Sequence, residues 1–115
     1  MERVNEKELK FRNGDSGPKY LFRGPHFEWG LIVLKPGEKM GGHYHNEVEE
    51  TFYLEQGSCV MIVNGKEIPA IEGDVFKLDP KETHDIVNRS TKPVRFIFIK
   101  APYRPDDKVT PQVSS

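Results

Sequence analysis

A chain of 115 residues with one modest hydrophobic core is expected, because two cores of half that size would each bury too little surface to stand alone. The formal net charge of −1, with lysines and arginines scattered among acids, supplies no cationic surface for nucleic acid or an anionic membrane. The single cysteine, Cys59, makes no internal disulfide and no apolar run exceeds five residues, so a reducing cytoplasm, no membrane span and no secretion leader are expected.

Residues 1–20 are charged and end in the breaker-rich Asn13-Gly14-Asp15-Ser16-Gly17-Pro18. They predict an arm, extending to about residue 26, with at most a short edge strand at 9–11. Residues 27–34 form the first firm strand, with Phe27, Trp29, Leu31 and Val33 on one face and Glu28, Gly30, Ile32 and Leu34 on the other. Both faces are partly apolar, as a two-layered β structure requires. Pro36-Gly37 turns the chain, and Gly41-Gly42 leads into His43-Tyr44-His45. Residues 50–54 form a strand with Glu50, Phe52 and Leu54 on one side and Thr51, Tyr53 and Glu55 on the other.

Asn64-Gly65, flanked by strands at 58–63 and 66–71, is the strongest short-range signal for a two-residue type I′ hairpin. Pro69 donates no ladder hydrogen bond and places the second of these strands at an edge, while Cys59 is expected to pack with Met61 and Val63. Short strands follow at 75–78 and 84–88, the second presenting His84, Ile86 and Asn88 on one face. A last strand at 94–101 is rich in Phe and Ile, and the proline-bearing tail at 102–115 is expected on the surface or on a partner. No sustained helical period appears, and turn signals recur at the spacing of an antiparallel sandwich or barrel.

His43 and His45 are one residue apart, so on an extended strand both imidazoles project to the same side as a chelating pair. Spacing leaves Glu47, Glu49 and Glu50 open as an acidic partner. Alternation selects Glu50, which shares an inner face with Phe52 and Leu54, whereas Glu49 points outward with Thr51 and Tyr53 unless a bulge shifts the register. With His84 brought in by the fold, these donors suit a divalent first-row metal that keeps open positions for water or substrate. His26 lies before the first firm strand and is expected on the surface or rim.

These stretches resemble the paired signature motifs of the cupin superfamily, in its small single-domain form. The first, G-x5-HxH-x(3,4)-E-x6-G, is met by Gly37, His43, His45, Glu50 and Gly57. The second, G-x5-PxG-x2-H-x3-N, is met in length by Gly73, His84 and Asn88. Asp79 stands at its proline position with Pro80 after it, and Lys81 stands where the family has glycine, departures that bear on the turn rather than on His84.

The resemblance implies an all-β, antiparallel jelly-roll barrel over residues 27–101, with little or no helix. Inside it His43, His45, Glu50 and His84 would bind one divalent transition metal (Mn, Fe, Ni or Zn). Iron or manganese would support dioxygenase chemistry, and zinc or nickel an isomerase, decarboxylase or lyase, with a metal-bound water or Glu50 accepting a proton. A non-catalytic module for a small molecule or sugar is the alternative, and no helix pair for DNA is present. Met40, Phe52, Leu54, Phe76, Ile86, Phe96 and Phe98 are the expected pocket walls. Asn88 is expected to hold a turn, and a homodimer is expected by the resemblance and because an arm and an edge strand need covering.

Overall fold

Ten strands and one three-residue 3-10 turn, Glu6–Glu8, make up the regular structure of residues 1–111, which this computed structural model describes. The expected tail therefore lies partly, at residues 112–115, outside the described residues. The strands are β1 (Gly17–Arg23), β2 (Glu28–Leu34), β3 (Tyr44–His45), β4 (Glu49–Gln56), β5 (Cys59–Val63), β6 (Lys66–Ala70), β7 (Val75–Leu78), β8 (His84–Val87), β9 (Val94–Ala101) and β10 (Lys108–Val109). Every pairing is antiparallel. A five-stranded sheet runs β1-β2-β9-β4-β7, facing a three-stranded sheet β6-β5-β8 and a two-stranded ribbon β10-β3. The fold is all-β and cupin-like, as the sequence predicts.

Alternation decides which side each strand buries. In β4, Glu50, Phe52 and Leu54 are buried while Tyr53 is exposed; in β9, Val94, Phe96 and Phe98 are buried while Ile99 is exposed. For β2, whose two faces are both partly apolar, the inward set is Glu28, Gly30, Ile32 and Leu34. Gly30 is required there: a Cβ would lie 2.6 Å from Cζ of Phe98, whose ring fills the space. Facing these, Met61 and Ile86 close the core from the smaller sheet, with Cys59 buried beside them. Asn64 and Gly65 have φ of 49° and 80°, the two left-handed residues that a type I′ hairpin demands, and β6 with Pro69 is an edge strand.

The two ends of the chain depart from expectation. Strand β1 lies in the segment expected to be an arm, pairing with β2 along Gly17–Arg23. Pro18 is tolerated because β1 is an edge strand, where a missing donor costs no ladder bond. The first twelve residues fold back on the sheet's outer face through Glu6, which accepts from Lys19 Nζ at 2.9 Å and from Arg95 at 3.1 Å. Lys19 also sits over the Phe11 ring. The segment after β9, expected on the surface or on a partner, is largely exposed and also returns to the site through β10, as described below.

Asn88 closes the turn between β8 and β9. Its Nδ2 donates to the carbonyls of Leu34 and Lys92, each at 2.9 Å, and its Oδ1 accepts from the Ser90 amide and hydroxyl. All four hydrogen-bonding positions of the fully buried amide are filled. Asn88→Ala removes these bonds and strands buried carbonyls, so denaturant unfolding is expected to show a loss on the order of 3 kcal/mol.

Candidate metal centre

Four side chains converge from separate places: His43 just before β3, His45 in β3, Glu50 in β4 and His84 at the start of β8. His43 and His84 form an isolated antiparallel bridge, with His43 N donating to His84 O at 3.1 Å and His84 N to His43 O at 2.8 Å. Directly opposed residues share a face, and the two rings lie 4.3 Å apart. His45, two residues on, shares the face of His43, and Glu50 meets them from the larger sheet. All four are buried, and one ligand atom of each lies within 4.8 Å of the others.

Backbone carbonyls determine how the imidazoles are protonated. The Nδ1 atoms of His43, His45 and His84 lie 2.9, 3.0 and 3.1 Å from the carbonyl oxygens of Gly41, Asp107 and Glu82. A carbonyl only accepts, so each Nδ1 carries a proton and each neutral ring turns a bare Nε2 lone pair inward. Glu50 Oε1, itself an acceptor, lies 3.2 Å from Nε2 of both His45 and His84. The angle at His84 makes no hydrogen bond, leaving its Nε2 a fully buried polar atom without a partner. Lone pairs aimed at one another in a buried place call for a cation between them, and three imidazoles with a carboxylate fit a divalent transition metal.

In the metal-free protein a proton must do part of that work. Burial pulls His43 down to about 4, against the upward pull of the Gly41 carbonyl. Burial pushes the Glu50 carboxyl up, but a proton shared with the inward Nε2 atoms of His45 and His84, together with the Lys100 ammonium, outweighs it and holds it down at about 2. Both groups therefore bind protons more readily unfolded than folded. The metal-free protein is expected to lose stability as pH falls from about 6.5 to about 4 through His43, and from about 4.5 towards 2 through Glu50. Melting temperatures across a pH series check this, with His43→Gln flattening the upper part only.

The segment after β9 braces this cluster. Strand β10 pairs with β3, placing Lys108 opposite His45. The Asp107 carboxylate accepts from the amides of Asn46, Glu47 and Val48 at 3.0, 2.7 and 3.0 Å, while its carbonyl holds His45. Burial works to raise the Asp107 carboxyl, but the three amides outweigh it and keep it below the usual range. The loop joining the histidine pair to Glu50 is thereby fixed from the far end of the chain.

A cavity of about 190 Å³ opens beside the cluster. Of the expected wall residues, Met40, Phe52, Ile86 and Phe98 line it; Leu54 and Phe96 are deeper in the core and Phe76 packs against that core from the edge. The cavity also presents Tyr20, Glu28 and Lys100, which the sequence reading did not select. Lys100 Nζ donates to Tyr20 Oη at 3.0 Å and lies 3.8 Å from Glu28, which Arg23 binds at 2.7 Å. Alternation in 94–101 already put Lys100 on the face of Phe96 and Phe98. Glu47 and Glu49 are exposed and outside the cluster, and His26 is exposed.

The turn before His84 carries the substituted motif letters. Lys81 has φ of 72°, in the left-handed region that favours glycine, and its amide donates to the His45 carbonyl at 2.6 Å. The chain thus keeps the glycine conformation without the glycine. Lys81→Gly relieves that strain, offset in part by unfolded-state entropy, and is expected to raise stability by up to about 1 kcal/mol in urea unfolding.

Comparison with known proteins places this geometry among relatives. The chain is 36% identical over 76 residues to a tetracenomycin polyketide synthase protein of Streptomyces glaucescens, covering 66% of this chain and 51% of that one. It is 35% identical over 68 residues to an oxalate-binding protein of Thermotoga maritima, covering 59% and 56%. The chain thus spans about half the length of these relatives. Among solved structures, a double-stranded β-helix protein of Klebsiella pneumoniae superposes with a TM-score of 0.82 at 17% identity, covering 98% and 99% of the two chains. The polyketide cyclase RemF of Streptomyces resistomycificus gives 0.82 at 19%, covering 99% and 87%. The family model described as the cupin domain matches residues 30–100, the span that holds all four converging side chains, and the chain belongs to the cupin family.

Proposed function

We propose that His43, His45, Glu50 and His84 hold one divalent transition metal and that the adjoining cavity admits a small molecule that chelates it. The observation that carries this reading is the convergence of three Nδ1-protonated imidazoles and a carboxylate, with Nε2 of His84 buried and unpartnered. When bound, such an ion supplies Lewis-acid or redox chemistry to a coordinated ligand. The chain's own part is to fix the ligands, exclude water with Phe52, Ile86 and Phe98, and offer polar groups from one wall.

Glu50, held as a carboxylate well below its ordinary range, is a weak base; we assign it to coordination rather than to proton transfer. Tyr20 is better placed to move a proton. Its hydroxyl oxygen accepts from Lys100, leaving its own proton free to be donated to a ligand oxygen in the cavity.

The reading we favour is metal-dependent turnover of a small chelating substrate. Relatives named as polyketide synthase proteins and a cyclase-like fold stand behind catalysis, and the relative named as an oxalate-binding protein stands behind the alternative of a binding module. Protein purified without an affinity tag is expected to carry close to one equivalent of transition metal by elemental analysis, or to take it up after stripping. His84→Ala should weaken uptake by more than about tenfold while keeping a β-rich circular dichroism spectrum. Wild-type protein that takes up none of Mn, Fe, Ni, Cu or Zn refutes the centre. Oxygen consumption by the loaded form then separates redox chemistry from isomerisation or binding.

A further inference from the structure

The charges around the cavity are not distributed as on the rest of the chain. With a net charge of −1 overall, five of the 17 lysines and arginines line this one cavity: Arg12, Arg23, Lys100, Arg104 and Lys108. Its acids are Glu28, Glu50 and Asp85. Glu50 belongs to the metal centre, and Asp85 Oδ1 accepts from the amides of Gly41 and Ile86. Glu28 is taken by Arg23 and Lys100, while Arg104 pairs with Glu47 at 3.1 Å. That leaves Arg12 and Lys108 at the cavity without an acidic partner among the described residues.

Strand register sets where two of these cations stand. Lys100 is directly opposite Glu50 on the β9–β4 pair, and Lys108 is directly opposite His45 on the β10–β3 pair. Opposed residues in an antiparallel ladder share a face. Each lysine is therefore held beside a proposed metal ligand and turned towards the same space. Arg12 reaches that rim from the turn that ties its amide to the Pro18 carbonyl.

We propose that the cavity binds a small organic anion with two charged ends, chelating at one and carrying at the other a second anionic group, carboxylate or phosphate, that Arg12 and Lys108 receive. The proposal rests on the metal reading of the centre for the first end and on the unpaired cations for the second. Lys100, bound to Tyr20 and Glu28, lines the same cavity.

Two ligand pairs with the same α-hydroxycarboxylate end test it: lactate against malate, which adds a carboxylate, and glycerate against 3-phosphoglycerate, which adds a phosphate. Calorimetric titration of metal-loaded protein is expected to show malate, 3-phosphoglycerate or both binding about tenfold or more tightly than the monoanion of the same pair. The preference should weaken as salt is raised. In the double variant Arg12→Ala with Lys108→Ala the preference should vanish while elemental analysis shows unchanged metal. The control Lys66→Ala with Lys92→Ala, of equal charge, should keep it. The pair that shows the preference identifies the second group as carboxylate or phosphate.

Equal affinities within both pairs on metal-loaded wild type, or a preference that survives the double variant, overturn the proposal. Wild type that takes up no metal refutes the reading of the centre instead. The same pairs titrated into metal-free protein then decide the cationic subsite, which falls if neither malate nor 3-phosphoglycerate is preferred over its monoanion.

Discussion

Three hydrogen bonds from imidazole Nδ1 atoms to the carbonyls of Gly41, Glu82 and Asp107 constrain everything else about the centre. They hold the tautomer, so that the inward nitrogens are acceptors, and they aim the rings at one point. The surrounding barrel meets the requirements of those three bonds. The His43–His84 bridge aligns two of the carbonyl-bearing turns, β10 brings the third, and Asp107 ties the intervening loop through three amides. Burying four acceptors together opposes folding of the metal-free chain, a cost that a core of Phe96, Phe98, Leu54 and Ile32 must offset.

The same sheet that anchors the core carries the polar wall. Along the ladder Glu28–Lys100–Glu50, three charged residues face inward at one end, whereas the next inward row, Gly30–Phe98–Phe52, is apolar. The boundary between the cavity and the packed interior is thus one step of two residues along each strand. Gly30 matters at that step, because it lets the Phe98 ring lie flush against β2 and close the floor.

Much of this was legible in the sequence because strands have a period of two. Alternation alone chose Glu50 over Glu49, and Asn64-Gly65 announced its hairpin. What alternation does not give is depth: Leu54 and Phe96 point inward like Phe52 and Phe98, yet lie beyond the cavity floor, so an inward face predicted seven wall residues of which four line the cavity. Lys100 shares the face of Phe98 by the same alternation, but no sequence signal separates an inward charge from a solvated one at the end of a strand. Strand β1 was hidden by Gly17-Pro18, which read as a breaker and serves as an edge. Asp107 carried no signal, since it lies 62 residues from the histidine it holds and no period links them.

That separation has a consequence for how the centre comes into being. The first histidines emerge early in synthesis, but the carbonyl that orients His45 belongs to a residue almost at the end of the described chain, and His84 lies between them. The closing contacts are therefore among the most non-local in the molecule, and loop-closure entropy must be met before they contribute. On the proposed metal reading, His43 and His45 alone would offer a nascent chain only a loose bidentate pair, and the ligand set would reach its full geometry only after β10 has docked.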